Sequence, residues 1–121
     1  MIQDDLLDIL MHSEGGLPVE VKLNNGYCTA VVLAAGGYPE QPEKGKILAL
    51  DQNAQGVLFH AGTSLQEGKL LTSGGRVMNA VGQGKTIEEA RKRAMLLAES
   101  IRYENKYFRK DIGKDLEDWN Q

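Results

Sequence analysis

The 121-residue sequence predicts an α+β fold, mainly antiparallel β, with a small barrel-like body, a packed C-terminal helix and a short N-terminal helix. Three observations predict it. From Pro18 to about Gly84, short apolar or alternating runs are separated by turn residues. After Gly84 a segment has strong helical periodicity, and a shorter periodic segment opens the chain. A chain of this length buries one core, so these pieces belong to a single packed body.

The opening helix rests on "DDLLDILMH", which places Leu6, Leu7 and Leu10 at helical spacing behind Asp4 and Asp5. Acidic residues suit the positive end of the helix dipole, and the glycines and proline of "EGGLP" stop the helix. The β body follows as "VEVKL", "TAVVLAA", "KILAL", "GVLFH", "KLLTS" and "RVMNAV", separated by "NNG", "GGYP", "AGT" and "SGG". "NNG" carries the asparagine and glycine that tight turns require for positive φ, and predicts a hairpin between the first two runs. In "TIEEARKRAMLLAESIRY", Thr86 caps a helix and Glu89 reaches back to complete a capping box. Ile87, Ala90, Ala94, Leu97, Ala98 and Ile101 then form one apolar stripe that must lie on the β body, leaving Glu88, Arg91, Lys92 and Glu99 to water. The rest is polar with scattered aromatics. Tyr107, Phe108 and Ile112 anchor an extended or turned segment before a frayed end, so the chain divides into 1–16, 17–113 and 114–121.

Composition narrows the function. The net charge is −3, and the 14 lysines and arginines are dispersed, which argues against nucleic acid as a partner. Cys28 lies in the apolar run "YCTAVVL" and reads as a buried small hydrophobe rather than a nucleophile. No stretch reaches the roughly 18 apolar residues of a membrane span, and the acidic start lacks the basic flank of a signal peptide. The expected compartment is the cytoplasm.

Candidate chemistry is sparse. "GQGKT", Gly82 to Thr86, ends like a phosphate-cradling loop, but that motif needs a glycine where Asn79 stands, so Lys85 and Thr86 read as parts of a helix start. His12 and His60 lie far apart with no spaced Cys, His or Asp cluster, and no metal site is predicted. Asp111 in "FRKDIG" reads as an ion-pair partner of Arg109 or a cap before it reads as a general base. No catalytic residue is assigned. The better lead is "GKLLTSGGRV", where glycines permit close backbone approach and Lys69 and Arg76, if they converge, offer charge-assisted donors to a phosphate monoester. Each cation alone reads as a solvated charge. Strand parity across Ser73, Gly74 and Gly75 leaves open which face each side chain takes.

Taken together, "VVLAAGGYP", "EKGK", "FHAGT", "GKLLTSGGRV", a helix opening "TIEEAR" and "IRYENKYFRKDIG" occur in an order and spacing that resembles phosphoribosylamine glycine ligase, also called glycinamide ribonucleotide synthetase. The resemblance covers only the carboxy-terminal domain of that family. It implies a fold of the rudiment single hybrid type over 17–113. It also implies that 1–16 is the helix leaving an ATP-grasp region, whose "RFGDPE" signature would lie upstream.

The family's full-length enzymes use ATP and Mg²⁺ to activate glycine, and phosphoribosylamine then attacks to give glycinamide ribonucleotide in purine biosynthesis. The ATP and metal ligands would lie outside this stretch, so the chain by itself is expected to be inactive. By pattern match the resemblance makes Lys69 and Arg76 the phosphate-binding pair. Gly36, Gly37, Tyr38, Ser73, Gly74 and Gly75 become cleft-lining residues, Pro39 fixes the turn, and Lys44 and Lys46 face the ATP-grasp side or solvent. The same loop reads equally well as a rigid connection packed on the ATP-grasp region. That region of the same polypeptide is the implied partner, and the face it would cover offers a surface for a dimer. The alternative to a ligase domain is a stand-alone binding or interaction module derived from it.

Overall fold

The computed structural model describes residues 1–16, 20–51 and 55–116. In chain order its elements are α1 (Leu6–Glu14), β1 (Tyr27–Ala34), β2 (Val57–His60), β3 (Thr63–Gln66), β4 (Lys69–Thr72), β5 (Arg76–Gly84), α2 (Ile87–Ser100) and a 3₁₀ turn (Lys114–Leu116). β5 is the central strand of an antiparallel sheet ordered β1-β5-β2, and β3 and β4 form a separate antiparallel hairpin. The α+β class and antiparallel pairing therefore agree with expectation.

α2 packs across one face of the larger sheet, and the reason lies in matched small residues. Ala90, Ala94 and Ala98 on the helix are fully buried. They meet Gly82 and Gly84 on β5, where a Cβ on Gly82 would stand 2.3 Å from the backbone nitrogen of Ala94 and 2.4 Å from the carbonyl oxygen of Ala90. Backbone thus approaches backbone directly, and the larger core residues Val31, Leu33, Met78, Leu97 and Ile101 fill the space beside this contact. Thr86 caps the helix by accepting from the Glu89 N–H at 3.1 Å, while Glu89 Oε2 accepts from the Lys85 N–H at 2.7 Å. The box therefore closes one residue earlier than its usual reciprocal bond. At the other end α2 has no basic residue in its last turn, and Lys106 supplies the charge from the following segment. Its ammonium donates to the carbonyls of Ala98, Glu99 and Ile101 and stands 5.2 Å from the centre of the Phe108 ring. Burial lowers the Lys106 pKa from its ordinary value.

Four expectations need correction. The barrel-like body is not closed among the described residues: the β3–β4 hairpin meets the rest through the isolated Ile47–Leu71 bridge, and β1 and β2 remain edges of the larger sheet. The "NNG" hairpin does not form either. Leu23 bridges Ile2, with Gln3 N–H donating to the Lys22 carbonyl at 2.9 Å, so the chain start takes the place expected for β1. Pro18 and Val19, at the head of that predicted strand, lie outside the described residues, as does the tail beyond Leu116. "KILAL" is a connector whose Ile47 bridges Leu71 and whose Ala49 bridges Arg102, one neighbour on each side instead of a continuous ladder. Cys28 is exposed, because inward positions on β1 fall at Val31 and Leu33 and parity places Cys28 on the open face.

The helix α1 exists as expected but buries none of its residues, and Leu7 is 65% exposed. The sheet face opposite α2 is also uncovered, presenting Val32, Val57 and Phe59. No helix among the described residues is long and apolar enough to cross a membrane.

Candidate functional site

The loop from Gly36 to Gly45 is built from its own hydrogen bonds outward. Gly37 takes a φ of 77°, a left-handed conformation natural to glycine, and its carbonyl accepts from Gln41 N–H at 2.8 Å. The Gly36 carbonyl accepts from Glu43 N–H at 2.8 Å, and the Glu43 carboxylate receives the Asn105 amide. Tyr38 and Pro39 are joined by a cis peptide.

Thr72, only 2% exposed, ties this loop to the end of β4. Its hydroxyl accepts from Lys46 N–H at 3.0 Å and donates to the Glu43 carbonyl, while its own carbonyl accepts from Gly45 N–H at 2.7 Å. Lys46 also pairs with Glu104 at 2.8 Å, and that hydrogen bond raises the Lys46 pKa. Thr72→Val keeps the shape of the side chain but strands a buried N–H and a carbonyl, so its expected cost in urea denaturation is about 1–3 kcal/mol. A loss well below that range would show that water satisfies both groups.

The loop and the turn between β4 and β5 meet at Gly75. A Cβ on Gly75 would lie 2.4 Å from Cδ2 and 2.9 Å from Cε2 of Tyr38, so the tyrosine ring occupies the place a side chain would need. Ala35 N–H donates to the Gly75 carbonyl at 2.8 Å on the other side of the same peptide. The next residue, Arg76, opens β5 opposite Ala34, just past a break in register after Leu33. Its carbonyl is held by Gly62 N–H at 2.7 Å, but its exposed guanidinium has no hydrogen-bond or ion-pair partner among the described residues.

Arg76, Gly75, Gly62, Ala61, Asn79 and Val32 line an open hollow of about 600 Å³. A second hollow of about 220 Å³, mainly apolar, lies against Tyr38, Tyr107, Phe108 and Ile112, and Val32 lines both. The first combines an unpaired planar cation with backbone that a ligand can approach, a combination suited to an anion. Lys69 does not line that hollow. It sits at the other end of β4, paired with Gln66 beside the Glu67–Gly68 turn. Ser73 and Gly74 lie at the corner itself, where Ser73 N–H donates to the Gly62 carbonyl at 2.8 Å and Gly62 and Gly74 pack backbone to backbone. Gly36 is pressed against Asn105, inside the loop's framework rather than on either hollow.

The remaining candidates resolve into structure. Lys85 and Thr86 belong to the start of α2. Arg109 chelates Asp111 through two hydrogen bonds, the shorter 2.8 Å, and that pairing lowers the Asp111 pKa to about 2. Tyr103, which the sequence pattern does not single out, donates its hydroxyl to the Ala34 carbonyl at 2.9 Å, and burial raises its pKa to about 12. His60 Nδ1 lies 2.9 Å from the Thr63 hydroxyl. Among the described residues no group of three or more His, Cys, Asp or Glu side chains is placed to hold a metal ion.

Residues 28–115 match the family described as phosphoribosylglycinamide synthetase, C domain. The chain is 48% identical over 95 residues to a phosphoribosylamine–glycine ligase of Thermotoga maritima, spanning 78% of this chain and 22% of that protein. It is 40% identical over 119 residues to the Chlorobaculum tepidum ligase, spanning 93% and 28% respectively. The crystal structure of the Thermotoga maritima ligase superposes with a TM-score of 0.73 at 46% identity, covering 85% of this chain and 26% of that one. This chain therefore spans about a quarter of the length of the relatives it matches.

Proposed function

The chain belongs to the phosphoribosylglycinamide synthetase C-domain family, and from that premise we propose that it works as the carboxy-terminal domain of an ATP-dependent carbon–nitrogen ligase. The longer protein would join glycine to phosphoribosylamine, giving glycinamide ribonucleotide in purine biosynthesis in the cytoplasm. ATP and Mg²⁺ would be held by an ATP-grasp region of the same polypeptide. The uncovered apolar residues of α1 and of the open sheet face support contact with such a region. A second copy of this chain is the alternative cover for the same surface.

Within that reaction this domain's task is to bind and orient. The carrying observation is Arg76, an arginine without a protein partner at the rim of a hollow walled by glycine backbone. A guanidinium presents parallel N–H donors to two oxygens of a phosphate monoester, fixing the direction of the attached ribose as well as its position. Holding the sugar-phosphate end places the amine for attack on an activated glycine carboxyl group, and closure of the domain keeps water from that reactive species. Lys69 is the second and lesser cation of the proposal, because it stands at the turn end of β4, outside the hollow. Of the proposed cleft-lining residues Gly75 walls the hollow itself, Tyr38 lines the neighbouring one, and Gly36, Gly37, Ser73 and Gly74 brace the loop and corner behind them.

The test is a ligation assay with glycine, phosphoribosylamine and Mg-ATP. The 121-residue chain alone yields no glycinamide ribonucleotide, and the full-length protein containing it does. Turnover by the purified chain, or none by the full-length protein, would overturn the proposal.

A further inference from the structure

Tyr38 is nearly half exposed, yet its ring fills the one site above Gly75 where any side chain would otherwise stand. A residue that contributes little to the core and lies on a glycine next to an unpaired arginine invites an account other than packing. The peptide around Gly75 is held at three points: the Gly75 carbonyl by Ala35 N–H, the Arg76 carbonyl by Gly62 N–H, and the Gly75 Cα by the Tyr38 ring. The first two fix the strand's hydrogen bonds, while the third alone is supplied by the loop. We propose that Tyr38 is a positioning residue: seated on Gly75, it sets the course of the backbone into Arg76 and thereby the place from which the guanidinium reaches an anion.

The proposal rests on Arg76 being the phosphate ligand and adds what holds it ready. An arginine with no protein partner must give up rotamer freedom when it binds, and a disordered backbone beneath it would add to that cost. The loop is itself braced, through Tyr38 N–H to the Ala35 carbonyl at 3.3 Å and through Gln41 and Glu43 to the paired glycines, so the ring is carried on a rigid support. Gly75 is the matching half, because only a residue without a Cβ leaves the ring its seat.

The experiment titrates the chain with ribose 5-phosphate, a phosphate monoester, and follows backbone ¹⁵N relaxation of Gly75 and Arg76 in the free protein. Tyr38→Ala is expected to weaken binding about fivefold, the scale of ordering one more side chain or turn on association. It should also lower the order parameters at Gly75 and Arg76 from about 0.85 toward 0.6. Tyr38→Phe retains the ring and is expected to bind within about twofold of wild type on the same scale. Gly75→Ala weakens binding by itself but adds nothing to Tyr38→Ala, because the ring its methyl would strike is gone.

Rigid Gly75 and Arg76 amides in a folded Tyr38→Ala chain, or fully additive losses in the double variant, would overturn the positioning role. Arg76→Ala separates this outcome from a failure of the phosphate reading. If Arg76→Ala leaves binding intact, or if the wild-type chain does not bind, the phosphate reading falls and this proposal falls with it. If Arg76→Ala abolishes binding while Tyr38→Ala does not weaken it, only the positioning role falls.

Discussion

Gly82→Ala is expected to lower the stability of the chain by about 3 kcal/mol, at the upper end of what overpacking a core costs. The added methyl would meet Ala94 N and Ala90 O, which are helix backbone and not the end of a flexible side chain. Nothing local can yield. α2 would have to lift from β5, and the contacts of Ala90, Ala94, Leu97 and Ala98 with the sheet would loosen together. Gly68→Ala is the control: no atom lies within 4 Å of its would-be Cβ, but its φ of 74° makes the left-handed backbone costly for alanine. That variant is expected to lose about 1–2 kcal/mol. Urea denaturation of both decides the matter. A Gly82→Ala chain no less stable than Gly68→Ala would mean that the helix and sheet do not meet backbone to backbone.

On the proposed function, Arg76→Ala in the full-length protein is expected to reduce kcat/KM for phosphoribosylamine by about 5- to 150-fold, while leaving KM for ATP and glycine within about twofold. The size follows from losing a charge-assisted hydrogen bond to phosphate, about 1–3 kcal/mol. Selectivity among substrates follows from the proposal, which puts ATP and Mg²⁺ on another region of the polypeptide and the sugar phosphate at Arg76. Lys69→Ala should have a smaller effect of the same kind, because Lys69 stands outside the hollow. Equal losses for all three substrates would point to a folding defect or a general closure role instead of a phosphate contact.

Much of this molecule can be read from local pattern. The cap at Thr86 and Glu89 and the alanine-rich stripe of α2 are written within one segment, and the structure forms both. Strands β1 and β5 announce themselves by short apolar runs and appear where those runs stand. The β3–β4 hairpin is harder to see, though Glu67 and Gly68 adopt the paired positive φ values of a tight two-residue turn. "AGT" reads as a separator, whereas Thr63 already begins β3.

Non-local choices are where the pattern runs out. Nothing near "VEVKL" says that Leu23 will prefer Ile2 to β1. Nor does parity carry across Ser73, Gly74 and Gly75, which is why Lys69 and Arg76 look like neighbours in sequence and stand at opposite ends of β4 and its corner. The seat of Tyr38 on Gly75 joins segments far apart in the chain, and composition alone carries no mark of it.

The most direct measurement is an NMR titration of the chain, in parallel, with ribose 5-phosphate and with Mg-ATP. The account predicts that ribose 5-phosphate shifts the Arg76 guanidinium Nε–H and the amides of Gly62, Gly75 and Asn79, and that Mg-ATP leaves Gly82 to Thr86 unmoved. Shifts from Mg-ATP at the start of α2, with Arg76 silent toward the sugar phosphate, would contradict it.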